Sequence, residues 1–193
     1  MLRRLYDWVL HWAETPYGTW ALFFLALAES SFFPIPPDVL LIALAISIPA
    51  KSFRYALVCT VGSLIGGVIG YMIGYQFMEL VGLQILEFYG LMTKFNAVGD
   101  LYNKYNALAV GIAGFTPIPY KVFTISAGAF GINFPVFLLA SAVSRAARFF
   151  IVGWLIYKFG PGIRAFIDRY FNILAVVFVI LLVGGFVLIR YIF

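Results

Sequence analysis

Residues 29–40 read ESSFFPIPPDVL, with two acids and three prolines inside one of the most apolar regions of the chain. A near-copy, GFTPIPYKV at residues 114–122, follows downstream, with Pro117 and Pro119 matching Pro34 and Pro36. Proline lacks an N–H and its ring clashes with the preceding turn, so neither stretch lies inside a helix. Proline-broken helices with charges in apolar sequence, once in each half, form the pattern of a membrane transporter's binding region.

The flanking segments are short. From Thr19 to Phe33 the chain is apolar for about 15 residues, roughly 22 Å of helix, and from Asp38 to Ile48 for about 11, roughly 16 Å. Each falls short of the ~30 Å hydrocarbon core. The expected unit is a re-entrant hairpin that enters partway, turns at Pro34, Pro36 and Pro37, and leaves on the same side. Residues 107–130 make the second hairpin, turning at Pro117 and Pro119. Each hairpin leads into a full span, the first over 55–78 and the second over about 136–159. In the first, Gly62, Gly66, Gly70 and Gly74 recur every four residues. That bare face suits close helix packing within the chain, with a homo-oligomer seam or a lipid path as the alternatives.

The expected whole is an all-α polytopic membrane protein in one domain. A first repeat (18–78) and a second (107–160) are joined by an amphipathic connector (79–106). A final transmembrane helix covers 171–190, and residues 1–15 form an interfacial amphipathic helix with His11 on its solvated face. Asp7, His11 and Glu14 interrupt any early apolar run, so no cleavable signal is expected. One crossing between two hairpin-plus-span units gives them opposite orientations, an inverted repeat. Matching Tyr75-Gln76-Phe77 to Tyr157-Lys158-Phe159 sets Ser63 on Arg145 and Gly66 on Arg148. Arg3, Arg4, Lys51, Arg54, Lys158, Arg164 and Arg169 collect on one side, which should be cytoplasmic.

Composition agrees with lipid as the solvent: 64% of the 193 residues are hydrophobic and only 11% charged, where a soluble domain carries roughly a quarter. The net charge of +5 then reflects basic loops against anionic headgroups, not nucleic acid. Cys59 has no second cysteine to pair with, and one His beside one Cys builds no His/Cys metal site. No cofactor is expected, and no phosphate-cradling glycine loop or nucleophile elbow points to an enzyme.

Five ionisable residues fall where the membrane should exclude them: Glu29, Asp38, Lys121, Arg145 and Arg148. Each costs roughly 2.5–3.5 kcal/mol or more at the bilayer centre, so they are expected to face one another across a wet cavity. Arg145 and Arg148, three apart, share a helix face near Ser141 and Ser144. Asp38 opens a half-helix, where exposed N–H groups favour an acid; Lys121 opens its counterpart, where a cation is disfavoured unless an anion binds beside it. Lys121, Arg145 and Arg148 therefore make a phosphate-type site. Burial favours a neutral carboxyl unless a cation holds the charge, so Glu29, with Asp38, is the natural proton carrier. The bland alternative is that two acids and three bases only neutralise one another. Ser30 and Ser31 are expected to be satisfied within their own helix.

At these residues the chain resembles the DedA family, the SNARE-associated or VTT-domain superfamily, and within it the shorter YqaA-like branch. The resemblance covers roughly residues 18–160. It rests on Glu29, Pro34, Pro36 and Asp38, on the downstream Phe-x-Pro element with Ala127-Gly128, and on Ser144-Arg145. It implies two opposing re-entrant hairpins and the flipping of undecaprenyl phosphate or other phospholipids, in some members proton-dependent. Glu29 and Asp38 match the family's essential acids, with Asp38 where Glu is common and Pro37 where Gly is common. Of the family's two arginines around the second hairpin, the first has no basic counterpart and Lys121 stands in for the second. The leading expectation is a proton-coupled flippase or scramblase for a phosphate-headed lipid, multi-pass in a bacterial cytoplasmic membrane, with membrane lipids and protons as partners. The alternatives are a proton-coupled carrier of a small ion or solute, and a non-transporting organiser of the cell envelope.

Overall fold

The structure, a computed structural model, describes residues 17–32, 35–116, 119–160 and 162. The expected helices at 1–15 and 171–190, with Pro34 and Pro117, lie outside the described residues. Among the described residues all regular structure is helical. Helix α1 (Gly18–Ser31) is followed by a turn and α2 (Asp38–Ser47). The 3-10 turn Pro49–Lys51 leads into α3 (Ser52–Phe77), which continues through a π turn, Met78–Gly82, into α4 (Leu83–Phe88). Then come α5 (Met92–Phe115), α6 (Tyr120–Ala129) and α7 (Phe134–Gly160).

The prolines act where the backbone needs them. Pro37 (φ −71°) and Pro119 (φ −60°) precede the first residues of α2 and α6, where a missing N–H costs nothing. Their carbonyls accept from the N–H groups of Leu41 at 2.9 Å and Val122 at 3.1 Å. Thr116, after the end of α5, is extended with ψ 166°, as a residue before proline must be. At 14, 10 and 10 residues, α1, α2 and α6 reach only ~15–21 Å.

Two elements run further than their hydropathy suggests. The apolar rod Pro49–Phe88 is 40 residues long, with no helix end near 78; the reversal comes only at Gly90, whose φ of +64° is left-handed. Nor is there a boundary at 106/107. The amphipathic connector and the first arm of the second hairpin are one helix, α5, because the change from polar to apolar there brings no backbone breaker.

Helices α3 and α7 cross antiparallel along their whole lengths. Tyr71 meets Phe134 and Phe137 at ring-centroid distances of 5.2 and 5.3 Å. Ser63 meets Arg145 midway, Phe53 meets Phe150 and Tyr157 further on, and Gly160 reaches Pro49. The glycine stripe of α3 is consumed by packing within the chain. Gly62 and Gly66 lie against the carbonyls of Phe23 and Leu27 in α1, and Gly70 and Gly74 lie against Thr124 and the Ile125 carbonyl in α6. Small residues let the backbones touch.

The apolar interior falls into two clusters. One holds Leu22, Leu41, Cys59, Phe149 and Ile156; the other holds Val110, Ala113, Tyr120, Ala127 and Phe137. Along α3 and α7, Ser63 and Arg145 come between them. The outer faces of these two helices expose Leu57, Val61, Ile65, Leu139, Val143 and Trp154. Hydrophobic patches of that extent belong against lipid, and both long helices are long and apolar enough to cross a membrane.

Candidate functional site: two buried ion pairs at the helix turns

Helix α7 presents Arg145 and Arg148 to the turns. Arg145 Nη2 donates to Glu29 Oε2 of α1 at 2.6 Å, and its Nε donates to Ser63 Oγ of α3 at 2.6 Å. A longer contact of 3.3 Å joins Nη2 to Ser30 Oγ. The guanidinium is held between two rings, 4.8 Å from the Tyr120 centroid and 4.7 Å from that of Phe149. These contacts let a cation lie on apolar surface without water. The Arg145 side chain is 3% exposed and that of Glu29 14%.

Hydroxyls close a one-way chain around this pair. Ser63 accepts from Arg145, which leaves its own proton for Ser30 at 2.7 Å; Ser30 in turn donates to Glu29 Oε2 at 3.1 Å. Such chains polarise one another in a low dielectric. Ser31 behaves as expected, donating back to the Leu27 and Ala28 carbonyls, but Ser30 does not. Its partner Ser63 is 33 residues away, and no helix-local pattern announces that contact.

Arg148 forms the second pair with fork geometry. Its Nε and Nη2 donate to Asp38 Oδ1 at 3.1 Å and Oδ2 at 2.8 Å, while Nη1 donates to the Thr116 carbonyl at 2.6 Å. One guanidinium thus ties the first residue of α2 to the end of α5. The pair is wetter than the first, at 15% and 19% exposure. Lysine offers a point charge in place of this planar fork. Arg148→Lys is therefore expected to lose the Thr116 tie or one Asp38 oxygen, at about 1–3 kcal/mol, read as a lower melting temperature in detergent. An unchanged melting temperature would mean the three contacts are not held together in solution.

The structure thus brings four of the five expected residues together as two one-to-one pairs. Lys121 is not among them. It sits half-buried at the second position of α6 and forms no ion pair among the described residues, its backbone carbonyl accepting from Thr124 Oγ1 at 3.0 Å. The two acids of the site are each taken by a guanidinium of α7.

Fold and site together define a helical membrane protein with a transporter-like buried charge layer. The VTT domain matches residues 35–158, and the chain belongs to that family, the DedA family. An uncharacterized protein of Haemophilus influenzae is 33% identical over 168 residues, covering 85% of this chain and 87% of the relative. A homologue from Histophilus somni is 36% identical with the same coverage. An uncharacterized protein of the archaeon Methanocaldococcus jannaschii is 27% identical, covering 68% of this chain and 79% of its own. No solved structure matches the chain.

Proposed function

We propose that the chain moves a phosphate-headed lipid across a bacterial cytoplasmic membrane, trading a carboxylate for the phosphate at each arginine. The carrying observation is that both arginines sit at the helix turns, held by acids that an anion of better geometry can replace. A phosphate offers the fork of Arg148 the same two-oxygen face as Asp38. A Glu29 carboxyl displaced in the same way from Arg145, left among Ser30, Ser63 and apolar walls, takes up a proton; substrate entry and proton uptake are then one exchange. Lys121, a cation without a paired acid among the described residues, supplies the first attraction for an anion, aided by the N-terminus of α6.

An inverted repeat of two re-entrant hairpins is part of the reading, and one coincidence supports it. The sequence alignment of the two halves makes Ser63 and Arg145 equivalent. In the antiparallel crossing of α3 and α7 those same two residues touch, at 2.6 Å. Equivalent residues touch in this way where a pseudo-two-fold axis passes between them.

The test uses purified protein in liposomes carrying labelled undecaprenyl phosphate or labelled phospholipid, with and without a pH gradient. Expected is transbilayer movement that responds to the gradient and loses that response in Glu29→Gln. An unchanged pH response in that variant would remove Glu29 from the coupling. A second reading has its own observation: each arginine is fully matched by an acid, as in a layer that only neutralises itself. Equal rates in protein-free and protein-containing vesicles for every lipid would favour that one.

A further inference from the structure

Outside the buried charge layer, the exposed cations are unevenly placed. Lys51 and Arg54 stand at the start of α3 and Lys158 near the end of α7, all three exposed. The antiparallel crossing brings these two ends together. A Cβ on Gly153 would lie 3.2 Å from the Ser52 carbonyl and one on Gly160 3.2 Å from Pro49, and the Phe53 and Tyr157 rings meet at 5.4 Å. No acid occurs in residues 39–78 or 122–160, and none of the three cations forms an ion pair among the described residues. Lys158 rests on aromatic faces instead, its Nζ 5.3 Å from the Trp154 centroid and 5.5 Å from that of Phe159. A ring face attracts an ammonium without neutralising it.

The far end of the rod differs. There Lys94 and Lys104 share the exposed surface with Glu79, Glu87 and Asp100, so acids outnumber bases. Depth separates the two ends further. Arg54 lies nine residues from Ser63, and Lys158 thirteen from Arg145, roughly 14 and 20 Å of helix. Half of a hydrocarbon core is about 15 Å. With Ser63 and Arg145 at mid-membrane, the three cations therefore reach the headgroups of one leaflet, beside Trp154 and Tyr157, whose amphipathic rings suit that level.

We infer that the joined ends of α3 and α7 bind the headgroup of an anionic phospholipid, with Lys51, Arg54 and Lys158 around its phosphate. The site lies half a bilayer from the ion pairs and is independent of whether a lipid is transported. A headgroup bound there fixes the depth of both long helices and so keeps the Ser63–Arg145 contact at the centre of the membrane.

Purified full-length protein in neutral detergent, titrated with phosphatidylglycerol, should gain melting temperature. Phosphatidylcholine, whose headgroup has no net charge, and inorganic phosphate, which has no chains to lie on the exposed apolar faces, should each give far less. A basic residue is worth about fivefold in affinity for an anionic surface, so Lys51→Gln with Lys158→Gln should raise the midpoint of the phosphatidylglycerol titration about 25-fold. Lys94→Gln with Lys104→Gln removes the same charge from the other end and should leave the midpoint in place. Equal weakening by the two pairs overturns the inference, as does phosphatidylglycerol no better than phosphatidylcholine or inorganic phosphate. Stabilisation unchanged in Lys51→Gln with Lys158→Gln also overturns it, and would put the lipid at Arg145 and Arg148. In unaltered protein the gain should fade between about 0.1 and 1 M salt, as the screening length falls from ~10 to ~3 Å. A gain indifferent to salt refutes a surface site, and that arm stands even if a variant fails to fold.

Discussion

Arg145→Met should lower the melting temperature of the purified protein by on the order of 10 °C, the largest loss expected from removing one charge. The substitution keeps length and apolar contact with Tyr120 and Phe149 but takes away three things at once. Glu29 loses its counter-ion, Ser63 loses the donor that orients it, and among the described residues Ser30 is left as the only bond to the carboxylate. Breaking a buried pair by removing one partner costs about 3–5 kcal/mol, more than the pair contributes over a hydrophobic replacement, because the remaining charge is stranded. The double variant Glu29→Gln with Arg145→Met should therefore recover part of the loss. A double-mutant cycle on melting temperature measures the recovery. If the two single losses added without recovery, the 2.6 Å contact would carry no coupling and the exchange of acid for phosphate would have no basis. Arg148→Met should be milder, since its pair is more exposed and the stranded Asp38 retains the favourable start of α2.

The same contrast separates what the sequence made readable from what it did not. The turns were legible because proline imposes its constraint locally: Pro37 and Pro119 stand where a helix begins, whatever surrounds them. The charges were legible because their cost in lipid does not depend on the partner, so Glu29, Asp38, Arg145 and Arg148 stood out before their pairing was known. The glycine stripe likewise predicted close backbone approach and received it, from α1 and α6. Which helices would approach was not in the stripe itself.

Partners at long range were the illegible part. Ser63 is one hydroxyl among several in apolar helices, and only the crossing of α3 with α7 makes it a ligand of Arg145. Tyr120 resembles any membrane tyrosine until its ring is found over the guanidinium. Lys121 was grouped with the arginines by its place beside a turn, but sequence does not reveal that each acid is paired with a guanidinium. Helix ends misled for a different reason. Hydropathy changes near 78 and again near 106, yet an α-helix ends where its backbone is broken, and the first such break after Pro49 is at Gly90.

The largest expected loss of fold comes from adding a single methyl group, in Gly128→Ala. A Cβ at Gly128 would run into the backbone carbonyl of Tyr71, and one at Gly74 into that of Ile125, so α6 and α3 touch backbone to backbone in both directions. A carbonyl in a helix cannot rotate aside as a side chain can. The two helices must separate, and tightly packed interiors tolerate little such displacement. Separation also carries Tyr120 off Arg145, so the damage reaches the charge layer. Gly128→Ala and Gly74→Ala are thus expected to yield little monodisperse protein on size exclusion. Two other glycines calibrate the result. At Gly114 the obstacle is the Ser144 hydroxyl, which can rotate at the expense of its bond to the Ala140 carbonyl, and the loss should be intermediate. At Gly111 nothing lies within 4 Å. There alanine should stabilise α5, because glycine costs a helix interior ~1 kcal/mol relative to alanine. Well-folded Gly128→Ala protein with an unchanged melting temperature would refute the contact between α3 and α6. Equal losses at 128 and 111 would mean that helix propensity and not contact sets the pattern.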